Sequence, residues 1–106
     1  MLVQINNKIT FKISPKEEKE LQEKITNMVN SILGRYEFDY DFEDDYPLYF
    51  NGEEVKKGAF IELEVKQRKK DKDKFNELRN LIRNIYIKNL DIDEDNVFIQ
   101  FYDYEN

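Results

Sequence analysis

Cysteine, histidine and tryptophan are absent from the 106 residues. Without cysteine there is no disulfide framework, no thiol nucleophile and no zinc-thiolate site. Without histidine, the usual general base near neutral pH and the commonest metal ligand are both gone. Ser14 and Ser31 therefore have no imidazole to activate them, which excludes a Ser-His-Asp triad. Glycine and proline are scarce, at three and two residues. Gly34, Gly52 and Gly58 are too scattered for a phosphate-cradling loop, and no cofactor motif is present, so neither cofactor nor metal is expected. No apolar run approaches the roughly 20 residues of a membrane span, and MLVQINNK lacks the charged-then-apolar pattern of a signal peptide. A cytoplasmic protein is expected, with no membrane partner. Lys and Arg are outnumbered by Asp and Glu, 17 to 23, for a net charge of −6. Nucleic-acid affinity rests on basic residues neutralising phosphates, so an acidic chain of this kind is not expected to bind nucleic acid.

What is present describes one domain, residues 1–106, of a size that buries about two-thirds of the unfolded chain's surface. Val3, Ile5, Ile9, Phe11 and Ile13 all fall at odd positions, the period of a strand with one buried face, with Asn6-Asn7 as an expected interruption. Ser14-Pro15-Lys16-Glu17 is a helix start with a capping box and a proline at the first helical position. The stripe Leu21, Ile25, Met28, Val29, Ile32 and Leu33 follows, and Gly34 ends it. Tyr36, Phe38, Tyr40 and Phe42 then alternate with Glu37, Asp39, Asp41 and Glu43, which predicts an aromatic core face and a solvated acidic face. Leu48 to Phe50 reads as a short extended piece before a turn at Asn51-Gly52. A strand over Ala59 to Lys66 comes next, with Phe60 on its polar face as a hint that this face is partly covered. A charged loop over Gln67 to Asp73 leads to a helix striped by Phe75, Leu78, Leu81, Ile82, Ile85 and Tyr86, with Asp71 or Asp73 as its cap. An acidic connection and a final strand over Val97, Ile99 and Phe101 close the pattern, and Asp103 to Asn106 are expected to fray.

The order is β-α-β-β-α-β. Right-handed crossovers make each half a parallel pair, with both helices on one face of a four-stranded mixed sheet, an α+β layer pair. The tautomerase fold and the ferredoxin-like fold share this string.

Three charged clusters invite a chemical reading. Asp91 to Asn96 begins like a calcium loop but has Asn96 where glycine belongs and Tyr102 at the twelfth position, so a solvated connection is expected. Glu43-Asp44-Asp45 reads as a solvated cluster, with no metal expected there. Arg68-Lys69-Lys70 is a basic knot near the start of the second helix, where an anion would be welcome.

The run LYFNGEEVKKGAFIELEVKQR, with the upstream helix KEEKELQEKITNMVNSILG, resembles a small bacterial family of unknown function in the tautomerase superfamily, alongside macrophage migration inhibitory factor. The shared element is aromatic-x-Gly-Glu-Glu-Val, here Phe50 to Val55, followed by a Phe-Val-Glu-Val-type strand, here Phe60-Ile61-Glu62-Leu63, and an arginine, here Arg68. The resemblance spans Ile9 to Phe101. It implies a tautomerase-like protomer that assembles with copies of itself, a trimer first and a dimer second. Superfamily enzymes use an amino-terminal proline as base or nucleophile, whereas position 2 is Leu2, and the first strand of the fold is expected to begin near Asn7 to Ile9, behind extra residues. Pro15 and Pro47 are internal amides with no basic nitrogen. The expected function is thus non-catalytic binding of a small anion, such as a carboxylate, or of a protein. The alternatives are a ferredoxin-like regulatory domain and an isomerase acting on a small carboxylate through Arg68 and Glu62, the former by bidentate pairing and the latter as base.

Overall fold

A computed structural model describes residues 2–34, 36–66 and 72–104. Strand β1 (Leu2–Ile9) is followed by helix α1 (Pro15–Leu33), strand β2 (Glu37–Glu43), a short hairpin of β3 (Tyr49–Phe50) and β4 (Glu53–Glu54), strand β5 (Ala59–Lys66), helix α2 (Lys72–Leu90), a 3-10 turn (Glu94–Asn96) and strand β6 (Val97–Tyr104). The four long strands form one sheet in the order β2-β1-β5-β6. β1 runs parallel to β2, β5 runs parallel to β6, and β1 meets β5 antiparallel at the centre. Each β-α-β unit is therefore unsplit, its two strands being direct neighbours. A ferredoxin-like sheet is built from split units, so this strand order separates the two folds that the sequence left open.

β1 is continuous. The expected interruption at Asn6-Asn7 is absent: Asn6 pairs with Asp41 and Glu62, and Asn7 with Phe42 and Ile61, in unbroken register. The strand starts at Leu2, earlier than the start near Asn7 to Ile9 that the resemblance led one to expect. Val3, Ile5 and Ile9 are fully buried, and Asn7 shares their face at 1% exposure. An amide is tolerated there because both of its ends are bonded. Tyr86 donates its hydroxyl hydrogen to Asn7 Oδ1, and Asn7 Nδ2 donates to the Asp41 carbonyl at 3.1 Å. Beyond Ile9 the chain leaves the sheet, where Thr10 bonds the backbone of Gly58 in both directions. Phe11 and Ile13 still pack on the core.

α1 starts as its sequence predicts. Glu17 N–H donates to Ser14 Oγ and Ser14 N–H donates to Glu17 Oε1, a reciprocal capping box, with Pro15 in the first turn. Leu21, Ile25 and Val29 are its fully buried residues. Gly34 has φ 101° and ψ −168°, an extended positive-φ conformation open essentially to glycine alone. It is not the left-handed helical stop expected there. α2 buries Leu78, Ile82, Tyr86 and Leu90. Lys72 and Asp73 already belong to this helix, so Asp73 is not its cap; Asp71 lies outside the described residues. β6 is longer than expected, with Asp103 and Tyr104 paired to Val65 and Lys66.

Candidate functional site

With both helices on one side, the sheet's other side carries the even-numbered positions of β1 and β5 and the odd-numbered positions of β2. Glu37, Asp39, Asp41 and Glu43 are exposed along β2, as their alternation predicts. Their aromatic partners pack against the core, with Phe38 stacked on Tyr40 and Tyr40 on Phe42. Tyr40 shares a hydrogen bond with Thr26 Oγ1 and donates to the Gln22 carbonyl. Burial pushes its phenol up to about 12, against a smaller lowering by Thr26.

Glu62, the candidate base, lies on this open side of β5. Lys8, from the neighbouring strand, sits 3.0 Å from its carboxylate, with the two side chains 29% and 17% exposed. The Lys8 ammonium is also 5.2 Å from the Tyr46 ring centre and 5.9 Å from that of Phe60. The hydrogen bond to Glu62 holds the Lys8 ammonium above the usual lysine range, against a smaller opposing effect of burial. Carboxylate, ammonium and two rings thus satisfy one another. Phe60 is also the register partner of Phe98, and Phe50 from the hairpin lies against Phe98 with ring centres 5.3 Å apart. The hint that this face is partly covered is therefore met by the hairpin, which lies against Phe98. Asn51 and Gly52 both take positive φ, 52° and 78°, as a tight two-residue hairpin loop requires. Beside this cluster, Asn6, Asn7, Lys8, Asp41, Phe42 and Glu43 line a depression of about 370 Å³.

Arg68, Lys69 and Lys70, the candidate anion site, lie outside the described residues, so Glu62 is the one candidate whose surroundings are visible. Its partner Lys8, and the Asn7–Tyr86 bond behind it, were missed in the sequence. The parity of Lys8 put it on the polar face of its strand, but cross-strand register is not written in either strand alone. Among the described residues, no three acidic side chains converge on a point that could hold a metal ion. Asp44 instead accepts from the Ile13 N–H at 3.3 Å, and Asp93 caps the 3-10 turn through the Asp95 N–H. No helix among the described residues is long and apolar enough to cross a membrane.

Neither a protein-family model nor a curated protein matches the chain. Solved structures do. The MIF2 protein of Leishmania major superposes with a TM-score of 0.86 at 15% identity, covering 97% of this chain and 89% of that one. A macrophage migration inhibitory factor-like protein of Entamoeba histolytica gives 0.79 at 16% identity, over 97% and 89% of the two chains. A fused 4-OT described as a symmetric trimer gives 0.77 at 12% identity, over 99% and 86%. Shared strand order, two helices on one face and near-complete coverage in both directions make this chain a tautomerase-fold protomer, of the architecture seen in the macrophage migration inhibitory factor and 4-OT structures.

Proposed function

We propose that the protein is a cytoplasmic, self-assembling binding protein on the tautomerase scaffold, without proline-based catalysis. The observation that supports this reading is that β1, Leu2–Ile9, contains no proline. The chemistry of the superfamily enzymes needs a secondary amine whose lone pair is free to take a proton or attack carbon. Pro15 occupies the first turn of α1 and Pro47 the loop after β2; both nitrogens are amides. The reading of Glu62 as a base for a small carboxylate is weakened by Lys8, which already engages its carboxylate. Binding of a small anion through Arg68, Lys69 and Lys70, or of a protein, remains the proposed activity. Assembly into a trimer is supported by the trimeric 4-OT neighbours and by the two open edges of the sheet, which a ring of copies would cover.

One of the similar structures, Pt0534, is titled as inactivated by 2-oxo-3-pentynoate. That compound is an electrophilic alkyne to which a nucleophilic amine adds. Incubating this protein with a modest excess of 2-oxo-3-pentynoate and measuring intact mass is expected to give no rapid stoichiometric adduct. Parallel assays are expected to show no enolisation of phenylpyruvate. A single fast adduct on the first residues, or turnover abolished by Glu62→Gln or Arg68→Ala, would overturn the reading.

A further inference from the structure

We infer that the flank of α2 beside β6 binds a short phosphate chain, such as a free oligophosphate or the phosphates of a nucleotide. The site goes beyond the anion reading above, because it does not depend on Arg68, Lys69 or Lys70. Positive charge is concentrated in this part of the chain. Residues 66–88 hold nine of the 17 lysines and arginines and only three acidic residues, in a protein of net charge −6. Within α2, Lys72, Asn76, Arg79 and Arg83 recur at spacings of four, three and four, so they form one stripe. The helix's two acidic residues, Asp73 and Glu77, are exposed and lie off it. α1 occupies the other flank of α2, where Lys24 donates to Asn89 Oδ1 at 2.8 Å.

Both arginines are fixed against β6. Arg83 Nε donates to the Val97 carbonyl at 3.4 Å. The Arg79 guanidinium lies 5.3 Å from the centre of the Phe101 ring, and one of its terminal nitrogens donates to Asn76 Oδ1 at 3.4 Å. Arg79 Nε is buried with no hydrogen-bond partner. Among the described residues neither guanidinium has a carboxylate within ion-pair distance; the ion pairs found there are Lys8–Glu62 and Lys57–Asp91. Two half-buried cations without counter-charges bear a desolvation cost and repel each other, and an anion between them offsets both. Their spacing sets the size of that anion. Arg79 and Arg83 are about 6 Å apart along the helix, while their contacts Phe101 and Val97 are about 13 Å apart along the strand. The guanidinia stand within that range, beyond the span of one phosphate and matched to a run of two or three. Ile99, partly buried against the core, lies between the two anchor points on β6. Guanidinium forks pair bidentately with phosphate oxygens. Asn76 keeps its amide hydrogens as further donors, and Lys72 adds a third charge along the stripe. The acidic remainder of the protein repels an extended polyanion, which favours a short one.

The test is calorimetric titration with orthophosphate, pyrophosphate and tripolyphosphate, without divalent metal and at matched ionic strength, because screening alone alters such affinities. Tripolyphosphate is expected to bind wild type at least tenfold more tightly than orthophosphate. Arg79→Gln and Arg83→Gln are each expected to erase most of that difference, with circular dichroism confirming that each is folded. Lys88→Gln, on the same helix but off the stripe, is expected to bind like wild type. So is Arg68→Gln/Lys69→Gln/Lys70→Gln; if this variant alone loses the binding, the earlier anion reading stands and the α2 site falls. Adenosine triphosphate run in parallel separates the sources: affinity equal to tripolyphosphate assigns a bare chain, tighter affinity assigns a nucleotide, and either sustains the site. If the arginine variants fail to fold, amide shifts in the wild type decide, and tripolyphosphate is expected to move residues 72–83 and 97–101. Affinity independent of chain length, citrate binding as tightly as tripolyphosphate, or shifts elsewhere would overturn the inference.

Discussion

Removing the Tyr86 hydroxyl is the sharpest test of what holds α2 on the sheet. Tyr86 is fully buried and Asn7 is 1% exposed, so Tyr86→Phe leaves the Asn7 Oδ1 atom without its donor and without access to water. A buried acceptor stripped of its partner costs about 1–3 kcal/mol. With an unfolding entropy of about 2.1 cal/mol/K per residue, a 106-residue chain loses about 9 °C in Tm for a cost near 2 kcal/mol. The companion substitution Asn7→Leu removes the acceptor and strands the Tyr86 hydroxyl instead, at a similar cost. Replacing both partners removes the stranded groups, so the double variant is expected to be more stable than the sum of the single effects by about 1–2 kcal/mol. The assay is thermal unfolding by circular dichroism at one fixed protein concentration, because self-association shifts apparent stability. A Tyr86→Phe protein within 2 °C of wild type (roughly 0.5 kcal/mol on the same conversion), or a strictly additive cycle, would refute the role given to this bond.

Two further outcomes follow from the same structure. At Gly58, an added Cβ would lie 2.6 Å from Val55 Cγ1 and 2.7 Å from the Asn96 carbonyl oxygen, so Gly58→Ala is expected to cost about 1–3 kcal/mol by overpacking, whereas Gly52→Ala, with no neighbour near its Cβ, costs only the strain of its positive φ; a Gly58→Ala protein as stable as wild type in urea would contradict this packing. Raising the pH is expected to destabilise the fold through Tyr40: the unfolded phenol ionises near 10 and the folded one near 12, so across that window the folded state holds a proton the unfolded state has lost, stability falls with pH, and after allowance for the partial exposure of Tyr40 the loss is about 1–2 kcal/mol. Tm measured from pH 9 to pH 11.5 is expected to fall less steeply in Tyr40→Phe than in wild type; parallel curves would contradict the assignment.

Local chemistry was legible and cross-chain register was not. The Ser14-Glu17 box, the aromatic and acidic faces of β2, the Asn51-Gly52 turn and the order β-α-β-β-α-β each depend on residues a few positions apart, and each stands in the structure. Asn6-Asn7 was misread because two polar residues in an apolar alternation look like a break when their partners are unseen. The hydroxyl that satisfies Asn7 comes from Tyr86, 79 positions away. Gly58 looked incidental for the same reason: the carbonyl that leaves no room for a side chain belongs to Asn96. Glu62 was visible as a candidate, but the lysine that neutralises it sits on another strand. Phe38, Tyr40 and Phe42 pack inward, while the most exposed rings are Tyr49 and Phe50, at 65% and 56%, in the hairpin.

The antiparallel seam between β1 and β5 divides the molecule into two similar halves. Within a half, each helix simply returns the chain to lie beside the strand it has just left. Across the seam, Val3 must find Val65 and Ile5 must find Leu63, contacts separated by most of the chain and so expensive in closure entropy. Closing that seam therefore carries the larger share of the loop-closure cost, and the link between the two halves, running through the exposed hairpin, keeps each within reach of the other.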